Sequence, residues 1–148
     1  MNGKQFKKWF GDVAKSNGFE KSSGNWLQNV GELTKLVNLQ KSNFANKEYV
    51  NFGFIINGVP SGQLLMHIGY RLSSPDSEER RKVEELLDLD SSIDDSARKS
   101  ALAVRLSHDV FGQLQKTNTE ADLLSVLKKQ PHLNNVPLSV KKHLNLSD

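Results

Sequence analysis

The chain has 148 residues, 36% of them hydrophobic and 25% charged, with a net charge of +3 and no cysteine. That length suits one domain able to bury a core without staples. The composition excludes a disordered chain, and the missing cysteines exclude disulfides and thiolate metal sites.

Phe6, Trp9, Phe10 and Val13 recur at helical spacing within Lys4–Ser16, with Lys4, Lys7, Lys8 and Lys15 on the rest of the turn. The first element is therefore an amphipathic helix offering an aromatic stripe to the core, and Asn17-Gly18 supplies its stop. A hairpin signal follows: Phe19 to Lys21, a Ser22-Ser23-Gly24-Asn25 turn, then Trp26 to Val30. Beyond Gly31, Leu33–Gln40 resumes strand alternation, with Leu33, Val37 and Leu39 on one face and Lys35 as the exception. In Glu48–Asn57, Val50, Phe52, Phe54 and Ile56 form an unbroken apolar face. After the Gly58-Val59-Pro60-Ser61-Gly62 loop, Leu64–Leu72 sets Leu64, Met66, Ile68, Tyr70 and Leu72 against His67, Gly69 and Arg71. Short connections and period-two alternation point to an antiparallel meander with one buried face.

Helix begins near residue 74, where Ser74 is placed to cap, Pro75 suits the first helical position, and Asp76, Glu78 and Glu79 complement the positive end of the dipole. Val83, Leu86 and Leu87 form its buried stripe. A second helix spans Asp94–Lys116, with Ala97, Ala101, Leu102, Val104, Leu106, Val110, Phe111 and Leu114 giving a wide apolar surface. Thr119 caps a third, with Asp122 as its capping-box partner; Leu138–Leu144 makes a short fourth. The expected fold is a single α+β domain over residues 1–148. It has an antiparallel sheet of four to five strands, about residues 19–72, with one N-terminal helix and three to four C-terminal helices packed on it.

No constellation of residues carries an enzyme signature. His67, His108, His132 and His143 stand at no metal-ligand spacing, and His108 and Asp109, adjacent on a helix, point in different directions. There is no nucleophile elbow, and the Gly58–Gly62 loop lacks the Gly-Lys-Ser/Thr ending of a phosphate cradle. No metal and no cofactor is expected, and the balance leans against an enzyme.

The strands carry an unusual polar side. Where solvated sheet faces favour Thr, Lys and Glu, this one shows amides and glycine, and keeping such poor strand formers costs up to about 1 kcal/mol each. The candidate binding face comprises Asn38, Gln40, Lys41, Tyr49, Asn51, His67 and Arg71, side chains versatile in hydrogen bonding, with Arg suited to carboxylate or phosphate. Such a face either receives a ligand or partner, or is covered by the C-terminal helices and satisfies buried backbone.

The same residues carry a likeness. VNLQKS at Val37–Ser42, YVNFGF at Tyr49–Phe54, a leading helix ending at Gly18-Phe19, Trp26 in the second strand and HIGYRL at His67–Leu72 together resemble a bacterial family catalogued as domain of unknown function 4304. The resemblance spans nearly the whole chain. It implies a small single-domain bacterial protein of α+β fold with no assigned activity, and it supplies no catalytic residue.

The functional expectation is a non-enzymatic protein-binding module, with an immunity-type neutraliser of a bacterial toxin as its narrower form. Charge distribution supplies the alternative. Residues 1–72 carry nine Lys and Arg against four Asp and Glu, while residues 73–148 carry eleven against thirteen. A basic half of this kind suits an enzyme or binder acting on a phosphorylated or nucleic-acid ligand, with Trp26 or Tyr49 stacking on bases. The N-terminal stretch has no apolar run of signal-peptide length, and no segment approaches the ~18 apolar residues of a membrane span. The expected location is cytoplasmic, with no membrane partner.

Overall fold

The computed structural model describes residues 1–147. Helix α1 (Gly3–Ser16) starts at a reciprocal cap: Asn2 Oδ1 accepts the Gln5 N–H, and the Gln5 side chain accepts the Asn2 N–H. Its buried residues are Phe6, Phe10 and Ala14, and Phe10 meets Trp26 edge-on with ring centroids 5.1 Å apart. Five strands follow as one antiparallel meander in the order β1-β2-β3-β4-β5: β1 (Glu20–Ser22), β2 (Asn25–Asn29), β3 (Leu33–Lys41), β4 (Glu48–Ile56) and β5 (Ile68–Arg71). The β3–β4 pair is the long one, in register from Leu33↔Ile56 to Lys41↔Glu48. Because side chains alternate with period two, this register sends Val37, Val50, Phe52, Phe54 and Ile56 to one side, where all are buried.

Helices α2 (Ser77–Leu87) and α3 (Asp95–Arg105), a π-helical turn (Leu106–Phe111), and helices α4 (Gly112–Gln115), α5 (Glu120–Lys128) and α6 (Leu138–His143) complete the α+β arrangement. Every helix contributes to one core cluster with that side of the sheet: Phe10, Val83, Leu102, Phe111, Leu114, Leu127 and Val140 pack with Val37, Phe54 and Ile56. On the reverse side, Leu36 is buried but stands outside this cluster. The helices thus cover one face of the sheet and leave the other.

Three local departures from the sequence reading have physical causes. The cap of α2 is Asp76, whose Oδ2 accepts the Glu79 N–H at 2.9 Å, while Ser74 Oγ accepts the Asp76 N–H. Along α3 the buried stripe runs through Arg98 and Leu102, so Ala97 and Ala101 are exposed and Val104 is 69% exposed. The Arg98 guanidinium is 1% exposed and donates to the carbonyls of Glu85, Leu86, Asp88, Ser91 and Ile93 and to Ser91 Oγ. It thereby satisfies carbonyls that the end of α2 leaves open and complements the negative pole of that helix.

The last strand is also shorter than its alternation suggests: residues 64–67 form no strand. Gly53 lies opposite Gly69 across the β4–β5 pair. A Cβ on Gly53 would stand 2.7 Å from Met66 Sδ and collide with the Ile68 carbonyl oxygen. The two glycines leave a trough, and the Met66 thioether fills it instead of continuing the strand. On the helix side, Lys35 is buried; its Nζ donates to Asn118 Oδ1 at 2.7 Å. Burial holds that amine below its ordinary pKa of 10.5, partly offset by the Asp122 carboxylate. Thr119 and Asp122 form the expected capping box of α5.

Candidate functional site

The reverse side of the sheet holds a continuous ladder of polar side chains. Register places Asn38 opposite Asn51 and Asn51 opposite Arg71, so β3, β4 and β5 present these groups side by side. Asn38 Nδ2 donates to Asn25 Oδ1 on β2 at 2.8 Å. Asn51 Nδ2 donates to both Asn38 Oδ1 and Gln40 Oε1, each at 3.0 Å. Arg71 closes the set, its Nε donating to Asn51 Oδ1 at 3.1 Å and its Nη2 to Gln40 Oε1 at 2.9 Å. The same guanidinium lies 4.2 Å over the Tyr49 ring, a cation–π contact. Gln40 and Arg71 are exposed, while Asn38, Tyr49 and Asn51 are half-buried.

These bonds run from strand to strand and fix the side chains without exhausting them. Arg71 Nη1, Gln40 Nε2 and the Tyr49 hydroxyl have no partner among the described residues. Each is a donor held in a set direction, and the guanidinium edge matches a carboxylate. On β2 to β5 of this face, Arg71 is the one charged side chain, set among Asn25, Asn29, Thr34, Asn38, Gln40, Tyr49 and Asn51. A second amide group lies towards the other end, where Asn57 accepts from Thr34 Oγ1 and donates to Asn29 Oδ1 and the Gly31 carbonyl.

Of the seven residues read from the sequence as a face, Asn38, Gln40, Tyr49, Asn51 and Arg71 come together; Lys41 and His67 do not. Lys41 shares the parity of Val37 and Leu39 and turns to the helix side, where its Nζ donates to Asn46 Oδ1 at 3.2 Å and lies beside Gly3. Next to it Glu48 is buried, and desolvation raises its carboxyl pKa against the opposing pull of Lys41 and Lys7. His67 is 3% exposed. Its Nδ1 accepts the Ile56 N–H at 2.9 Å and its Nε2 lies 3.2 Å from the Pro60 carbonyl. The imidazole thus ends the ladder of β4 where pairing with β5 stops, a structural task. Asn25 belongs to the ladder although it reads as a turn residue; only the β2–β3 register, Trp26↔Val37, sets it beside Asn38.

The other polar clusters have different settings. In the π-helical turn His108 Nδ1 comes within 2.6 Å of Asp109 Oδ1, so these neighbours do meet, on an exposed surface where Arg105 also pairs with Glu79. Hydrogen bonds from Arg105 and Lys82 hold the Glu79 carboxyl below its ordinary range. Between α1 and the β1–β2 hairpin, Lys4, Lys7, Lys8, Lys15 and Lys21 surround a groove of about 560 Å³ that also includes Asp12 and Glu20. Trp26 borders this groove but is 3% exposed, and the Arg71 guanidinium lies over one face of the Tyr49 ring. Among the described residues no group of three or more His, Cys, Asp or Glu is placed to hold a metal, and no helix is long and apolar enough to cross a membrane.

A family model described as Domain of unknown function (DUF4304) matches residues 10–129, a span that takes in all five strands and the whole ladder. No curated protein and no solved structure matches the chain.

Proposed function

The chain belongs to the DUF4304 family, and we propose that it works as a non-enzymatic protein-binding module whose docking surface is the open, amide-lined side of the sheet. The observation that carries this reading is the Gln40–Tyr49–Arg71 corner, where a guanidinium locked by two amides and an aromatic ring keeps Nη1 free. Side chains already held in place lose little freedom on docking, and Arg and Tyr are among the residues that carry most binding energy at interfaces. Amides are poor strand formers, and on a side that no helix covers the fold gains little by keeping them. The partner brings a carboxylate to Arg71. Neutralisation of a toxin in a bacterial cytoplasm is the narrower form of the same reading.

The test places a photo-crosslinking phenylalanine analogue at position 49 in cells of the native host, with a second protein carrying it at Val104, exposed on α3, as the control. One protein adduct specific to position 49, lost when Gln40→Ala or Arg71→Ala is added, is the expected result. Adducts identical at both positions would remove the reading. The lysine groove beside α1 favours a second one, an anionic ligand such as a phosphorylated or nucleic-acid chain. If all five lysines met phosphates, affinity for a single-stranded oligonucleotide would fall with a log–log salt slope of about −3.5; a flat salt response would dismiss it.

A further inference from the structure

The turn between β3 and β4, residues 42–47, ends the same hairpin that carries Gln40 and Tyr49, and at its tip Phe44 is 98% exposed. A phenyl ring in water needs a reason, and this one does not sit on a loose loop. Ser42 N–H donates to the Lys47 carbonyl at 2.8 Å, and the Phe44 N–H to Ser42 Oγ at 3.1 Å. The turn is also fastened to the segment after α2: Leu89 N–H donates to the Asn46 carbonyl at 2.8 Å, Asn46 Nδ2 to Asp90 Oδ1 at 3.0 Å, and Lys47 forms a bridge with Asp88. The backbone is held at both sides of Phe44 while its ring touches nothing that would shield it.

Area shows what such a ring adds. Nine residues of β4 span about 30 Å, and four strands spaced about 4.8 Å apart span roughly 14–19 Å. Because β2 and β5 are about half as long as β3 and β4, the face of β2–β5 offers on the order of 400 Å², short of the roughly 800 Å² that each partner gives to a stable protein interface. A phenylalanine side chain buries about 150–250 Å², which supplies about half of the difference. Chain geometry keeps the Phe44 backbone within about 14 Å of that of Gln40, a separation that a single interface spans.

We propose that Phe44 is the apolar anchor of the docking surface, inserting into a pocket of a partner protein that also presents a carboxylate to Arg71. This rests on the binding role of the amide face and adds the partner's chemistry: an apolar socket with an acidic residue beside it on the same surface. Lipid is a poor alternative occupant. One phenyl ring buries less apolar surface than a single acyl chain, which alone holds a protein to a membrane only marginally.

The experiment places the photo-crosslinker at position 44 in native-host cells, beside the position 49 and Val104 proteins. Both positions 44 and 49 are expected to capture one and the same protein. That protein, purified, should then bind the wild-type chain, and Phe44→Ala should weaken binding about 30-fold or more with the melting temperature unchanged. Capture from 49 without capture from 44, or a Phe44→Ala effect below about 3-fold, overturns the anchor while leaving the amide face standing. Capture from neither position overturns both. Binding of the wild-type chain to phosphatidylcholine–phosphatidylglycerol vesicles, lost in Phe44→Ala, would also overturn it, by assigning the ring to lipid.

Discussion

Replacing Asn51 with threonine separates a face kept for docking from one kept for folding. Asn51 makes three side-chain hydrogen bonds, to Asn38, Gln40 and Arg71. A net intramolecular hydrogen bond contributes about 0.5–1.5 kcal/mol, and the low end applies where the freed groups meet water. Gln40 and Arg71 are exposed and Asn38 is half-buried, so the loss is about 1.5 kcal/mol, against which the better strand propensity of threonine returns up to about 1 kcal/mol. The expected change is a destabilisation of about 0.5–1.5 kcal/mol. With a urea slope of about 2 kcal/mol/M, the midpoint moves by no more than about 0.8 M. Tryptophan fluorescence, from Trp26 of β2 buried against Phe10 and from the half-buried Trp9 of α1, reports the transition. Had the ladder been buried, three abandoned partners including a guanidinium would cost about 1–3 kcal/mol each. A loss above about 2.5 kcal/mol would therefore refute the open-face reasoning.

Arg98→Ala removes the donor to carbonyls at the end of α2 and should cost about 3–5 kcal/mol, as for other buried charges whose removal strands polar groups; a loss under 1 kcal/mol in the same urea titration would show that α2 closes without it. His67→Ala leaves the Ile56 N–H without its acceptor and should cost about 1–3 kcal/mol, visible as a lower melting temperature; an unchanged melt would return His67 to the list of functional candidates. Glu48→Gln tests a sign. Burial raises the folded-state pKa of Glu48 above its ordinary 4.5, so the folded chain holds that proton more tightly and loses stability as pH rises through the shifted value. The variant should be more stable than the wild type at pH 7, with the gap closing as pH falls towards 4.5; a gap independent of pH would contradict the burial effect.

Strand phase was readable because β4 writes Val50, Phe52, Phe54 and Ile56 without a break, and its partner β3 repeats the parity. The α+β order followed from the change of period near residue 74. Position within pairs was another matter. The trough over Gly53 and Gly69 exists only once the two glycines are set opposite each other, so nothing in the Leu64–Leu72 alternation betrays that Met66 will leave the strand and His67 will turn to Ile56. Lys41 was readable in principle, since its parity is that of Val37 and Leu39, and grouping it by neighbourhood in the chain misplaced it. Arg98 left one trace: it precedes Leu102 by one helical turn, at the head of the buried stripe. A charge there marks carbonyls to be satisfied, but which carbonyls depends on where α2 ends. The register of β2 against β3 likewise had to be seen before Asn25 could join the ladder.

Hydroxyl-radical footprinting of the protein inside native-host cells and after purification tests the central claim most directly, because it needs no knowledge of the partner. Tyr49 reports on the amide side of the sheet and Phe44 on the β3–β4 turn at its end, while Val104 and Leu138, 69% and 65% exposed on the helices, report on the rest of the surface. A docking role requires Phe44 and Tyr49 to be oxidised several-fold less in cells than in the purified chain, with Val104 and Leu138 unchanged. Equal oxidation of all four residues in both settings would contradict it.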